Sequence, residues 1–203
     1  MVWENSMGLE YAGASRDRSI IAMVQPITTS ESQLFIHNLA TGETKEVSEP
    51  GMPGMYSASG FTNDNAWFFY TTDAGREFSY LMRYSPATGE RELLYETSWD
   101  VNGSWLSRNE KYQLIGINED GRIQLNITDY ATGEKVTHPE VPGASVNELA
   151  ISESEKYLLL SLGTSKTPGD LYLYEFGSTG IKKLTDVLNP EINPADLVDA
   201  QVV

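Results

Sequence analysis

A short phrase returns through this chain at a nearly constant interval. Asn38-Leu39-Ala40-Thr41-Gly42-Glu43 is followed by Tyr84-Ser85-Pro86-Ala87-Thr88-Gly89-Glu90, then by Asp129-Tyr130-Ala131-Thr132-Gly133-Glu134. Glu175-Phe176-Gly177-Ser178-Thr179-Gly180 is a degraded fourth copy. The shared glycines stand at 42, 89, 133 and 180, giving steps of 47, 44 and 47 residues. A second marker keeps step with the first: Ser15-Arg16-Asp17, Thr62-Asn63-Asp64, Ser107-Arg108-Asn109 and Ser152-Glu153-Ser154. A period in the forties marks a supersecondary unit that buries its faces against its neighbours. Ala-Thr makes a turn, and the glycine supplies the positive φ that lets the chain re-enter the next strand.

Between the markers each unit reads as four strands. The first, 8–49, contains the continuous β-branched run Ile20-Ile21-Ala22-Met23-Val24, the pattern of a strand buried on both faces. The second, 55–95, has Met55 to Phe61, Ala66 to Tyr70, Phe78 to Tyr84 and Arg91 to Tyr95. The third, 101–138, has Val101 to Leu106, Tyr112 to Ile117, Ile123 to Thr128 and Lys135 to Thr137; the fourth, 146–186, ends on Ile181 to Leu184. No segment has the periodicity of an amphipathic helix. Inner strands are apolar, whereas the last strand of each unit carries charge (Glu43, Lys45, Glu46, Arg91, Glu92, Glu134, Lys135), which protects an exposed edge from pairing with another chain. These features predict an all-β fold, a β-propeller of about four four-stranded antiparallel blades over 1–186, forming part of a larger propeller. A β-sandwich is the competing reading, and it requires no fixed period. Residues 187–203 are punctuated by Pro190 and Pro194 and read as a connecting arm; Val2-Trp3 and Gln201-Val202-Val203 read as strand fragments at the two ends.

Composition narrows the function. A net charge of −15 argues against nucleic acid and anionic membrane as partners. The absence of cysteine removes thiol chemistry and weakly favours the cytoplasm; no basic and apolar leader opens the chain. No run approaches the roughly 20 apolar residues of a membrane span.

With the units laid out, Phe61-Thr62-Asn63-Asp64-Asn65-Ala66-Trp67-Phe68-Phe69-Tyr70-Thr71-Thr72-Asp73 and Gly75-Arg76-Glu77-Phe78-Ser79-Tyr80-Leu81 resemble a blade of the N-terminal propeller of prolyl oligopeptidase-family serine peptidases. Leu188-Asn189-Pro190-Glu191-Ile192 and Asp196-Leu197-Val198, leading to Val202-Val203, resemble the arm by which that family's chain enters its α/β-hydrolase domain. The blade motif is shared with propellers of the TolB type, so the exit segment is what favours the peptidases. The resemblance implies the C-terminal part of a propeller that gates peptides for a catalytic domain absent from these residues. The family's propellers have seven or eight blades, against four here.

No Gly-x-Ser-x-Gly elbow occurs, and the two histidines, His37 and His138, occupy different positions in their units, so no catalytic residue is assigned. No cofactor is expected. Asn118-Glu119-Asp120-Gly121 lacks the spaced ligands of a calcium loop and reads as a hairpin turn, and no metal site is assigned. Trp99-Asp100 occurs once, outside the repeated register, so the WD40 reading fails; Asn102-Gly103-Ser104 and Asn126-Ile127-Thr128 match the glycosylation triplet by coincidence. Trp67, Trp99 and Trp105 read as packing between blades. Arg76 and Glu77, in a turn between second and third strands, are the substrate-binding candidates, set against an ordinary solvated turn. Three roles follow: a propeller module of a serine peptidase, a stand-alone TolB-type binding scaffold, or a small propeller enzyme using paired carboxylates. An open set of four blades also leaves strand edges and apolar faces free for self-association.

Overall fold

The computed structural model of the chain describes residues 4–198 and 200; the strand fragments expected at Val2-Trp3 and at 201–203 lie outside the described residues. The strands form four consecutive meanders. The first sheet is β1 (Glu10–Ala14), β2 (Ile20–Thr28), β3 (Glu31–Asn38) and β4 (Thr44–Glu46); the second is β5 (Tyr56–Phe61), β6 (Phe68–Thr72), β7 (Tyr80–Tyr84) and β8 (Arg91–Tyr95). The third holds β9 (Asp100–Leu106), β10 (Tyr112–Glu119) and β11 (Arg122–Asp129). The fourth is β12 (Ser145–Ile151), β13 (Tyr157–Gly163), β14 (Asp170–Glu175) and β15 (Ile181–Lys183). Strand neighbours in space are strand neighbours in sequence, and the ordered arm contributes one 3-10 turn, Pro194–Asp196, capped by the Asn193 side chain. The all-β, bladed organisation expected from the repeat is present.

The third blade departs from expectation. Its fourth strand, expected over Lys135 to Thr137, is reduced to a single bridge between Thr128 and Lys135, leaving three strands. The cause is local. His138 Nε2 donates to Leu125 O at 3.2 Å, taking up a carbonyl that faces the missing strand. Pro139 and Pro142 follow and carry no amide with which to continue a ladder.

The two periodic markers prove to be the turns. In the first, Ser15 Oγ accepts from Ile20 N at 3.0 Å while Ser15 N donates to Ile20 O, and Thr62, Ser107 and Ser152 repeat both bonds with Trp67, Tyr112 and Tyr157. In the second, Gly42, Gly89 and Gly133 have φ of 74°, 78° and 72°, a region that L side chains avoid. The fourth copy differs: Gly177 takes the positive φ (85°) in place of Gly180, and Ser178 N closes a tighter turn on Glu175 O.

The chain divides into two compact units, Met1–Trp105 and Leu106–Val203. In the first, Ala22, Leu34, Ile36 and Val47 of the first sheet are buried with Tyr56, Phe68 and Tyr70 of the second. In the other, Leu114 and Ile127 are buried with Leu158, Leu160, Leu162 and Tyr174. Each such side chain contributes about 1.5–3 kcal/mol of burial. A third periodic link, invisible as a motif, ties the start of each third strand forward. Ser32 Oγ bonds both Tyr56 N and Tyr56 O; Ser79 Oγ donates to Val101 O and Ser79 N to Asp100 Oδ1; Ile123 N donates to Ser145 Oγ; Asp170 Oδ1 accepts from Thr185 Oγ1 and Val187 N.

Candidate functional site

A meander sends its first and third turns to one end and its second turn, with the link to the next sheet, to the other. In the first unit the β2–β3 turn, the β4–β5 link and the β6–β7 turn therefore meet. They enclose a cleft of about 560 Å³ lined by Ser30, Glu31, Gly54, Asp73, Arg76 and Glu77, among others. Both residues singled out in the sequence line it.

Arg76 is held rather than loose. Its amide donates to Asp73 O at 2.9 Å, which forms the turn. Its guanidinium lies 4.2 Å from the centre of the Tyr80 ring and pairs with Glu96, and the side chain remains 41% exposed. Glu77 beside it is exposed. Asp73 Oδ1 accepts from Met55 N at 2.7 Å, binding the link to the turn. Burial raises the pKa of Tyr80, so its hydroxyl stays protonated and donates to Ala74 O at 2.9 Å, bracing the turn from below.

Gly54 makes this closure possible. A Cβ built there would meet Asp73 Oδ1 at 2.6 Å and Ala74 Cα at 2.8 Å, inside any real contact. The link Pro50-Gly51-Met52-Pro53-Gly54 fell between the first two units in the sequence reading, yet it forms one wall. The close approach of backbone to backbone left no signal beyond a proline- and glycine-rich run. A second cavity, of about 310 Å³, shares Glu31 and Pro53 with the first and is bordered by Glu46, Glu49 and Tyr56. Both recesses are thus rich in carboxylates, and the guanidinium in the first is already paired.

The histidines are engaged elsewhere. His37 is buried, with Nδ1 2.9 Å from Thr44 Oγ1, and His138 Nε2 donates to Leu125 O. Among the described residues no group of His, Asp and Glu is arranged to hold a metal ion. Glu119-Asp120-Gly121-Arg122 is the β10–β11 hairpin turn, with Asp120 and Gly121 both at positive φ. The tryptophans differ from one another. Trp67 is covered by the Arg83 guanidinium of its own sheet at 4.0 Å, and Trp99 sits against Phe78. Trp105 is 40% exposed, so the expectation that it fills space between blades is corrected.

No family model and no curated protein matches this sequence. Solved structures do. Prolyl oligopeptidase B from Galerina marginata, bound to a 35mer hydrolysis and macrocyclization substrate, matches with a TM-score of 0.73 at 17% identity, over 97% of this chain and 29% of its own. TolB from Acinetobacter baumannii matches with a TM-score of 0.59 at 18% identity, over 83% of this chain and 41% of its own. A putative TolB from Agrobacterium tumefaciens matches with a TM-score of 0.62 at 14% identity, over 86% and 64%. The chain therefore spans well under half the length of the first two. At these identities the likeness establishes the fold, that of β-propeller blades.

Proposed function

We propose that this chain is a non-catalytic propeller segment of a prolyl oligopeptidase-like serine peptidase, presenting peptides to a hydrolase domain carried outside these residues. What supports the reading most is the match to prolyl oligopeptidase B, which takes in 97% of the chain, arm included, at a TM-score of 0.73. The arm lies latched to the last blade by Asp170, where the chain would leave the propeller. Within this role the 560 Å³ cleft holds a peptide end. Glu31, Asp73 and Glu77 outnumber Arg76, which Glu96 already neutralises, so the cleft favours an amino terminus over a carboxylate.

The second reading is a TolB-type binding propeller. It is favoured by the Agrobacterium tumefaciens structure, of which this chain covers 64%, the largest share among the three. Both readings expect no peptide hydrolysis by the chain itself.

The assay is fluorescence anisotropy with a short peptide carrying its label at the C-terminus, compared with the same peptide N-acetylated. Preference for the free amine by about threefold or more, lost in Glu31→Gln/Glu77→Gln, is the expected result. Equal binding of the two peptides, or none at all, contradicts the assignment of the cleft, and hydrolysis of either contradicts the non-catalytic role.

A further inference from the structure

The first turn of each blade fixes which residues correspond. It closes on Ile20 in the first sheet and on Tyr157 in the fourth, with the same bond to a serine hydroxyl at 3.0 Å. Leu159 is therefore the counterpart of Ala22. Cross-strand pairing makes Leu173 the counterpart of Ile36, and Leu171 that of Leu34. Leu184 matches Val47, since each donates its amide to the carbonyl of that last leucine at 2.7 Å.

Burial separates the two sets. Ala22, Leu34, Ile36 and Val47 are 0–3% exposed beneath Tyr56, Phe68 and Tyr70. The fourth sheet places leucine at all four positions and covers them poorly: Leu171 is 37% and Leu184 46% exposed, with Leu159 and Leu173 half-buried. Within the second unit itself, Leu114 and Ile127 hold the positions of Ala22 and Ile36 and are fully buried against the fourth sheet. This face is built to lie under another sheet.

The edges of the same face carry opposite charge. Glu148 stands on β12, opposite Ser161, and Lys182 on β15, opposite Leu173; both are exposed. β12 and β15 are the two outer strands of the sheet. A two-fold axis along the strands sets β12 of one copy over β15 of the other, so that Glu148 meets Lys182 twice. We propose that this leucine face is a homodimer interface whose occupant is the same face of a second copy. An aliphatic centre with self-complementary charges at its rim fits that symmetry, and two sheets stack face to face at about 10 Å.

Sedimentation velocity of the 203-residue chain tests it. The weight-average mass should rise with concentration from 22.5 kDa toward twice that value. Leu171→Glu/Leu184→Glu should hold it at one chain with the thermal midpoint retained. Glu148→Lys should weaken association about tenfold, and adding Lys182→Glu should restore it. A wild-type chain that stays single at every concentration overturns the proposal and leaves the covering sheet to another polypeptide segment. Association that ignores both the leucine and the charge-swap variants also overturns it.

Discussion

Arg18, Asn65, Glu110 and Glu155 take the same left-handed conformation, with φ of 60°, 58°, 62° and 56°. Each lies third after the serine or threonine that anchors its turn, and its amide donates back to that residue's carbonyl. The conformation is imposed by the closure of the turn, so the four side chains have nothing in common and the sequence showed only the anchor. Asparagine tolerates this region best among non-glycine residues. Arg18→Asn, at an exposed site, should therefore raise stability by about 0.5–1 kcal/mol, read as a higher urea midpoint with an unchanged slope. Gly54 is the opposite case. Gly54→Ala drives a methyl into the Ala74 backbone and should cost about 1–3 kcal/mol by the same measurement. It should also abolish the amine preference of the cleft, because Asp73 and Arg76 sit on the turn that must shift.

The blade strands were legible as elements because their residues are apolar, β-branched or aromatic at a fixed distance from a turn. The third-blade edge was not, since a charged outer strand and a charged loop have the same composition. There the outcome is decided by His138 and two prolines. The forward links were also illegible: Ser32, Ser79, Ile123 and Asp170 share a position and a task but not a side chain. Ser32 carries its link with one hydroxyl, buried, bonding both polar groups of the Tyr56 backbone. Ser32→Ala leaves a buried amide without that partner and should destabilise by about 1–3 kcal/mol. Hydrogen exchange should locate the effect at Tyr56 and its neighbours in β5. Unchanged protection there would contradict the link.

Across the whole chain, the net charge of −15 coexists with carboxylates held ionised by hydrogen bonds. Ser15, Ser19 and Asn65 hold Asp17 well below the usual carboxylate range, and Ala66 and Thr62 lower Asp64. Thr132 and Ala131 lower Asp129, and Lys183, with Thr185 and Val187, lowers Asp170. For Glu155, burial opposes ionisation, and bonds from Ser107 and Asn109 outweigh it. Because each folded pKa lies below its unfolded value (3.8 for Asp, 4.5 for Glu), the stability they add is complete above about pH 4.5. It is lost as pH falls through the folded values. The thermal midpoint should therefore fall steeply below pH 4 and stay nearly flat from pH 5 to 7, a profile calorimetry reads directly. Function was legible only in outline, because a propeller's activity resides in its loop ends and partner domains rather than in the blade repeat. Arg76 and Glu77 were found through the turn they occupy, whereas Glu31 and Gly54 reach the cleft through folding alone. The most direct test of a peptidase propeller segment is to sequence the source gene on both sides of these residues. The account predicts a reading frame that runs past Val203 into a Gly-x-Ser-x-Gly elbow and a later histidine, and a stop codon directly after Val203 would contradict it.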